Sequence, residues 1–272
     1  MAAKQIILIT GGNTGLGLEI VRKLYTSPKS YEIIIGCRTE SKGAAAISQV
    51  QSEIPSSNST LSTVQVDITS DTSITSARGT IASRHGHLDC LINNAGANFD
   101  VQYHSGKMSL REAWNESWNT NVSGTMVITS ELIPLLLKSS DPRLIFITSG
   151  TSSLEETERH DLPAFQRLNA SPPQGWPKDS GPNPVTMYRS VKCGMNMAFR
   201  EWVRILGNDG VKVWAVSPGF LATGLAGIGE EKLKQMGAID PAIGGEFVKD
   251  VVEGKRDEDV GKIIRKDSIQ PF

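Results

Sequence analysis

The chain has 272 residues, 39% of them hydrophobic and 21% charged, with a formal net charge of −1. That length holds one large α/β domain or two small ones, and the near-neutral charge, with no Lys/Arg-rich stripe and no interleaved aromatic platform, argues against a nucleic-acid partner. The three cysteines, Cys37, Cys90 and Cys193, form no C-x-x-C pair, and an odd count with two members in apolar runs suits a reducing compartment better than a disulfide framework.

The first predicted element is an apolar strand over 5–9. Its run is too short for a signal-peptide core or a membrane span, so the expectation is a cytoplasmic chain with no membrane partner. A glycine-rich turn follows, and then a helix over 16–26 with apolar residues at helical spacing. The alternation continues with strands over 32–37, 62–66 and 88–93 and helices over 41–53 and 71–86. Next come a long helix over 114–139, a strand over 143–148, a helix over 186–207, a strand over 211–216, a helix over 240–253 and a last strand over 261–264. Most of the strands are continuous β-branched runs, as in parallel strands covered on both faces. Strand–helix repetition of this kind predicts a Rossmann-type doubly wound parallel sheet of about seven strands in a single α/β domain spanning 1–272. Residues 154–184 break the rhythm with six of the 13 prolines, Pro163, Pro172, Pro173, Pro177, Pro182 and Pro184. A stretch that long in a compact domain is either functional or disordered.

The turn after the first strand reads Thr10-Gly11-Gly12-Asn13-Thr14-Gly15-Leu16-Gly17. Glycines there let the backbone approach a pyrophosphate, and the helix behind them offers free N–H groups and a partial positive charge. The second strand ends in Gly36-Cys37-Arg38-Thr39, with no acid before Glu40. A guanidinium at that place suits a ribose 2′-phosphate, which favours NADP(H) over NAD(H). In the run Met187-Tyr188-Arg189-Ser190-Val191-Lys192, Tyr188 and Lys192 lie four apart on one helical face. A free phenol titrates near about 10. One positive charge at about 5 Å and an effective dielectric of about 20 contributes roughly 3 kcal/mol, or about two pKa units, toward the phenolate. The four histidines, His85, His87, His104 and His160, show no metal-ligand spacing, and no metal is expected.

Taken together, these motifs resemble the short-chain dehydrogenase/reductase superfamily over nearly the full chain, in the family's order, and most closely its carbonyl-reductase-like members. Gly11, Gly15 and Gly17 match the glycine-rich turn, Asn93-Asn94-Ala95-Gly96 the N-N-A-G after strand four, and Pro218-Gly219 with Thr223 the P-G-x-x-x-T after strand six. The resemblance implies a catalytic set of Asn121, Ser149, Tyr188 and Lys192. It implies cofactor contacts from Asn13, Thr14 and Leu16 within the turn, from Arg38, and from Asp67 and Ile68 beside the adenine. Further contacts would come from Asn93, Ala95 and Gly96, from Tyr188 and Lys192, and from Pro218, Gly219, Leu221 and Thr223. The implied activity is NADPH-dependent reduction of a ketone or aldehyde, with Tyr188 as proton donor, Lys192 lowering its pKa, Ser149 bonding the substrate oxygen and Asn121 holding a helix kink and a relay water. The alternatives are an NADP-dependent alcohol dehydrogenase working in the oxidative direction and a non-catalytic NADP(H)-binding regulator.

Two departures stand out. Ser149 and Tyr188 are 39 positions apart, far more than in many members, and the extra length is the proline-rich segment. Some monomeric carbonyl reductases carry a comparable insertion over the helix surface used for tetramer assembly, so a monomer or dimer is expected before a tetramer. The chain also ends soon after Ile269-Gln-Pro-Phe272, leaving little tail to close an active site. Loops at the carboxyl ends of the strands contribute Phe99, Tyr103, Leu154, Trp176, Phe220, Leu221, Leu225 and Met236, which predicts a medium-sized, mostly apolar small-molecule substrate.

Overall fold

The computed structural model describes residues 4–178 and 185–272. Seven strands form one parallel sheet: β1 (Gln5–Thr10), β2 (Tyr31–Cys37), β3 (Thr60–Gln65), β4 (Cys90–Asn93), β5 (Arg143–Ile147), β6 (Lys212–Val216) and β7 (Ile263–Ile264). Their spatial order is β3-β2-β1-β4-β5-β6-β7. The chain winds outward from β1 to β3, returns to the far side of β1 at β4, and winds outward again. That reversal opens a crevice between the carboxyl ends of β1 and β4, where the outgoing connections leave in opposite directions.

The continuous apolar strands are explained by cover on both faces. Along β1, Ile6 and Leu8 enter one core with Ile74, Ile81, Ile128, Leu132, Val191 and Phe199, while Ile7 and Ile9 enter the other with Leu18, Val21, Phe247 and Val248. The first set belongs to α3 (Asp71–His85), α6 (Gly124–Leu136) and α8 (Thr186–Ile205), the second to α1 (Gly15–Tyr25) and α10 (Pro241–Val252). With α2 (Glu40–Glu53) on the second face, the sandwich is the three-layered, doubly wound arrangement that the alternation predicts.

The predicted helix over 114–139 is in fact three pieces. It starts earlier, as α5 (Leu110–Trp118), because Ser109 and Glu112 form a reciprocal capping box. A five-residue π-helical turn, Asn119–Ser123, then leads into α6. Gly124 sits at that joint because a Cβ there would run into the Ile68 carbonyl group. Three short helices have no counterpart in the sequence reading: α4 (Asp100–His104), α7 (Pro163–Asn169) and α9 (Glu230–Gln235). None is long enough to display a helical repeat.

The proline-rich segment is structured over much of its described length. It holds a 3-10 turn, Glu155–Glu158, and α7, whose Pro163 occupies the first turn, where a missing N–H costs nothing. Pro182 and Pro184 lie outside the described residues. The buried Glu156 carboxylate is held by Arg265, through Nη1 at 2.9 Å and a second contact from Nη2, and by Arg159 at 3.2 Å. Among the described residues no helix is long and apolar enough to cross a membrane.

Candidate active site

Because every strand is parallel, the turns after β1 to β6 all open at one end of the sheet, and the sequence motifs converge there. Gly11 and Gly15 take φ of +65° and +55°, a left-handed backbone that side chains rarely tolerate. A Cβ on Gly17 would strike the Gly11 carbonyl oxygen and lie 2.6 Å from Asn94 Nδ2. These absences of side chain leave a cradle over the first turn of α1. Thr14, at the N-cap, makes no side-chain cap bond, so the first N–H groups of α1 remain available to an anion. The loop after β4 braces the cradle: Asn94 Nδ2 donates to Thr10 O at 2.8 Å, while the Asn94 and Ala95 N–H groups donate to Thr10 Oγ1 at 3.0 and 2.9 Å. Asn93 points elsewhere. Its Nδ2 donates to Thr129 Oγ1 of α6 at 2.8 Å, so its side chain fastens a helix to the sheet.

Arg38 follows β2 and is exposed, and among the described residues no hydrogen bond or ion pair engages its guanidinium. Asp67 follows β3 and accepts from Thr69 N and Oγ1 at 3.0 and 2.8 Å, which holds its carboxylate in the turn. Ile68, next to it, lies against Gly124. Across the crevice, Thr223 comes within 3.6 Å of where a Gly15 Cβ would stand. Gly219, at φ +103°, permits the bend after β6, and Leu221 bridges to Ile239 and packs beside Gly244 of α10.

Asn121 and Lys192 meet beside Gly96, while Ser149 stands two residues past the end of β5 and Tyr188 four positions before Lys192 on α8. A Cβ on Gly96 would lie 2.8 Å from Asn121 Oδ1, so glycine leaves room for the Asn121 side chain, and Lys192 Nζ stands 3.6 Å from the same point. Asn121 sits inside the π-helical turn, a feature that recurs at functional sites. Its Nδ2 donates to Ala97 O at 2.8 Å and to Ser117 O at 2.9 Å, and its Oδ1 accepts from Ala97 N at 3.3 Å. Lys192 Nζ lies 5.7 Å from the Tyr188 ring centroid and donates to Ile147 O, at the end of β5, at 2.9 Å. Ser149 Oγ accepts from Thr151 N at 3.2 Å and shares a 3.0 Å hydroxyl contact with Thr151 Oγ1.

The electrostatics run against the simple charge argument. Burial pushes the Tyr188 phenol up, and burial pushes Lys192 down to about 8. Both shifts have one cause: removal from water penalises the charged form of each group. The phenol is partly buried and the ammonium is 4% exposed.

Several supporting residues carried no signal in the sequence. Gln270 Nε2 donates to Ser149 O at 3.0 Å and approaches Ser152 Oγ at 3.4 Å, so the tail ties down the serine loop from beneath. Asn196 bonds Thr148 Oγ1 at 2.6 Å and Ser152 Oγ at 2.9 Å from α8. Asp100 bonds the backbone at the start of α8. An Asx pattern, Asn98 before Asp100, announces only a turn; its distant partner is invisible until the fold brings them together. Arg189, beside Tyr188, donates to Thr151 O, Leu168 O and Asn169 Oδ1 at 3.0–3.1 Å, and Arg167 reaches Met236 O at 3.3 Å. These contacts set the first half of the insertion at the start of α8 and the end of α9. Farther along, Trp118 of α5 packs on Gly194 of α8, and Trp118 and Met197 remain 47% and 62% exposed.

Similarities to known proteins match this geometry. The short chain dehydrogenase family model matches residues 5–159. The short-chain dehydrogenase/reductase eupG of Phoma sp is 45% identical over 279 residues, covering 99% of this chain and 98% of that protein. The short-chain dehydrogenase/reductase tropE of Talaromyces stipitatus is 41% identical over 273 residues, covering 100% and 99%. The fold is similar to that of the NADPH-bound carbonyl reductase from chicken fatty liver, with a TM-score of 0.75, 22% identity and 99% of each chain covered. A family model spanning more than half the chain, and relatives matched nearly end to end, establish that this protein belongs to the short-chain dehydrogenase/reductase family of NAD(P)(H)-using oxidoreductases.

Proposed function

We propose that the chain is an NADPH-dependent reductase of a ketone or aldehyde on a medium-sized, mostly apolar substrate, with Tyr188 as the proton donor. The observation that carries this reading is the convergence of Asn121, Ser149 and the Tyr188–Lys192 pair at the carboxyl ends of β4 and β5, beside the glycine cradle. The cradle suits a dinucleotide: its shape depends on missing side chains, and the N–H groups behind it lack side-chain caps. Gly11, Asn13, Thr14, Gly15, Leu16 and Gly17 would hold the pyrophosphate, Asp67 and Ile68 the adenine, and Ala95, Gly96, Pro218, Gly219 and Thr223 the nicotinamide half. The free guanidinium of Arg38 is suited to a 2′-phosphate, which it can clamp with two charge-assisted bonds. When bound, the reduced dinucleotide supplies the hydride.

The chain's own residues do the rest. Ser149 orients the carbonyl oxygen and donates to the charge that develops on it. Tyr188 holds its proton firmly, as a buried phenol does, and releases it once that oxygen becomes basic. Lys192, charged below about 8, faces the same side and stabilises the phenolate left behind. Asn121 keeps α6 and the Ala97 strap in place behind the lysine. Leu154, Phe220 and Leu225, all more than 40% exposed on the loops at this end, present apolar surface to the substrate. We read the chain as one domain over 1–272, acting in the cytoplasm. We expect a monomer or dimer in preference to a tetramer; a stable tetramer in light scattering would refute this.

A panel of acetophenone, α-tetralone, menadione and phenanthrenequinone, followed by NADPH absorbance, tests the activity. Turnover of at least one is expected, with Tyr188→Phe lowering kcat by about 10²-fold or more, in the range of a lost general acid, while NADPH binding persists. An active Tyr188→Phe enzyme would remove the proton-donor role. Arg38→Ala is expected to weaken NADPH about tenfold or more, by loss of a charge-assisted contact, and NADH hardly at all; equal losses would show that Arg38 does not read the 2′-phosphate. Lys192 is charged below its pKa and neutral above it, so kcat/KM for NADPH should fall as pH rises through about 8. A profile flat from about pH 7 to 9 would detach Lys192 from the rate.

A further inference from the structure

We propose that Asp100 is the positioning residue of Tyr188: a buried carboxylate from the start of α4, just after β4, that sets the start of α8. The inference rests on the reading of Tyr188 as proton donor. The first N–H groups of any helix lack intrahelical partners, and the usual remedy is a polar N-cap side chain. At the N-cap of α8 stands Val185, which makes no side-chain cap bond. The missing acceptor comes from Asp100, 87 and 88 residues earlier: Oδ1 accepts from Met187 N and Oδ2 from Tyr188 N, both at 3.0 Å. Asp100 is 0% exposed. Its negative charge is matched by two aligned N–H groups and by the positive end of a 20-residue helix.

Asp100 is itself fixed. Its N–H donates to Asn98 Oδ1 at 2.9 Å, and the residue before Asn98, Ala97, has its backbone paired on both sides with Asn121. A short path of hydrogen bonds and intervening backbone therefore runs from Asn121 through Ala97, Asn98 and Asp100 to the backbone of Tyr188. Alternative caps would close the helix end equally well without relating Tyr188 to Asn121. A cap drawn from the loop that follows Gly96 fixes the phenol relative to the cofactor cradle and the carbonyl subsite. A displacement of about 1 Å at a reacting group can cost about 10²-fold in rate.

The test compares Asp100→Asn with the double variant Asp100→Asn/Val185→Asp, using the best ketone of the panel above, NADPH binding by fluorescence and urea denaturation. Asparagine keeps the size but turns an N–H donor toward one of the helix N–H groups. Aspartate at 185 supplies a local cap, so the double variant restores the helix end without the link to Asn121. For Asp100→Asn, kcat should fall about 30-fold or more, with KM for the ketone and Kd for NADPH within about threefold, the pattern of lost alignment. The double variant should regain the denaturation midpoint and not the kcat. Wild-type kcat in the single variant, or full recovery of kcat in the double, would overturn the proposal. So would failure of both variants to fold, which would make Asp100 a folding residue. Tyr188→Phe run alongside separates the two readings: if it is active the proton-donor reading falls, and if it is inactive while Asp100→Asn works normally, only the role of Asp100 falls.

Discussion

The seven residues from Asn94 to Asp100 are the constraint on which the rest of the site depends. They are fastened at three points. Thr10 Oγ1 accepts the N–H groups of Asn94 and Ala95 and donates to Ile92 O at 3.3 Å, which locks the strap to the glycine turn. Ala97 is paired with Asn121, and Asp100 holds α8. Each bond contributes about 0.5–1.5 kcal/mol net, but an unmade one would strand a buried polar group at a cost of about 1–3 kcal/mol. The strap is therefore hard to displace in part. The glycine cradle, the π-helical turn and α8 come from three separate sequence regions, and this one backbone segment ties them together.

That dependence explains which features were legible in the sequence. The parallel doubly wound sheet and the glycine turn after its first strand follow from local signals: apolar runs of strand length, helical spacing between them, and glycines where the backbone must turn or be approached. Tyr188, Lys192, Ser149 and Asn121 were legible because their neighbours in sequence carry family motifs. Asp100 and Gln270 were not, because what they touch lies 88 and 121 positions away. The split of the predicted 114–139 helix was hidden for a different reason. Insertion of one extra residue into a helical turn leaves the apolar spacing on either side nearly intact, so the periodicity reads straight through the π-helical turn. The short helices α4, α7 and α9 fell below the length at which periodicity means anything.

The charge argument for Tyr188 erred in an instructive way. It treated both groups as if they kept their water. In the fold, Lys192 is buried with its ammonium on the Ile147 carbonyl, and Tyr188 is partly covered. Desolvation opposes charge on each, raising the phenol and lowering the ammonium. A phenol held neutral is suited to give a proton to a substrate oxygen, because its protonated form is the one present before reaction. A lysine brought to about 8 can keep its charge near neutral pH without a permanent counter-ion. The pair is better described as two groups set close to their useful protonation states by burial than as a phenol acidified by a neighbour.

The proline-rich insertion joins the same mechanical unit. Arg189 follows Tyr188 directly, and its guanidinium spans Thr151 O, Leu168 O and Asn169 Oδ1. One side chain thus connects the catalytic helix, the loop of Ser149 and the end of α7. Glu156, at the base of the insertion, is held by Arg265 from the segment that leads to Gln270, and Gln270 in turn holds the Ser149 carbonyl. The first half of the insertion, over 155–169, is consequently braced on both sides of the serine loop. Changes of sequence within 155–169 would be felt at Ser149 and Tyr188 through these bonds, while apolar side chains at the mouth could vary without disturbing them. The division separates a fixed catalytic frame from an adjustable rim, and it gives the spacing of 39 residues between Ser149 and Tyr188 a physical use.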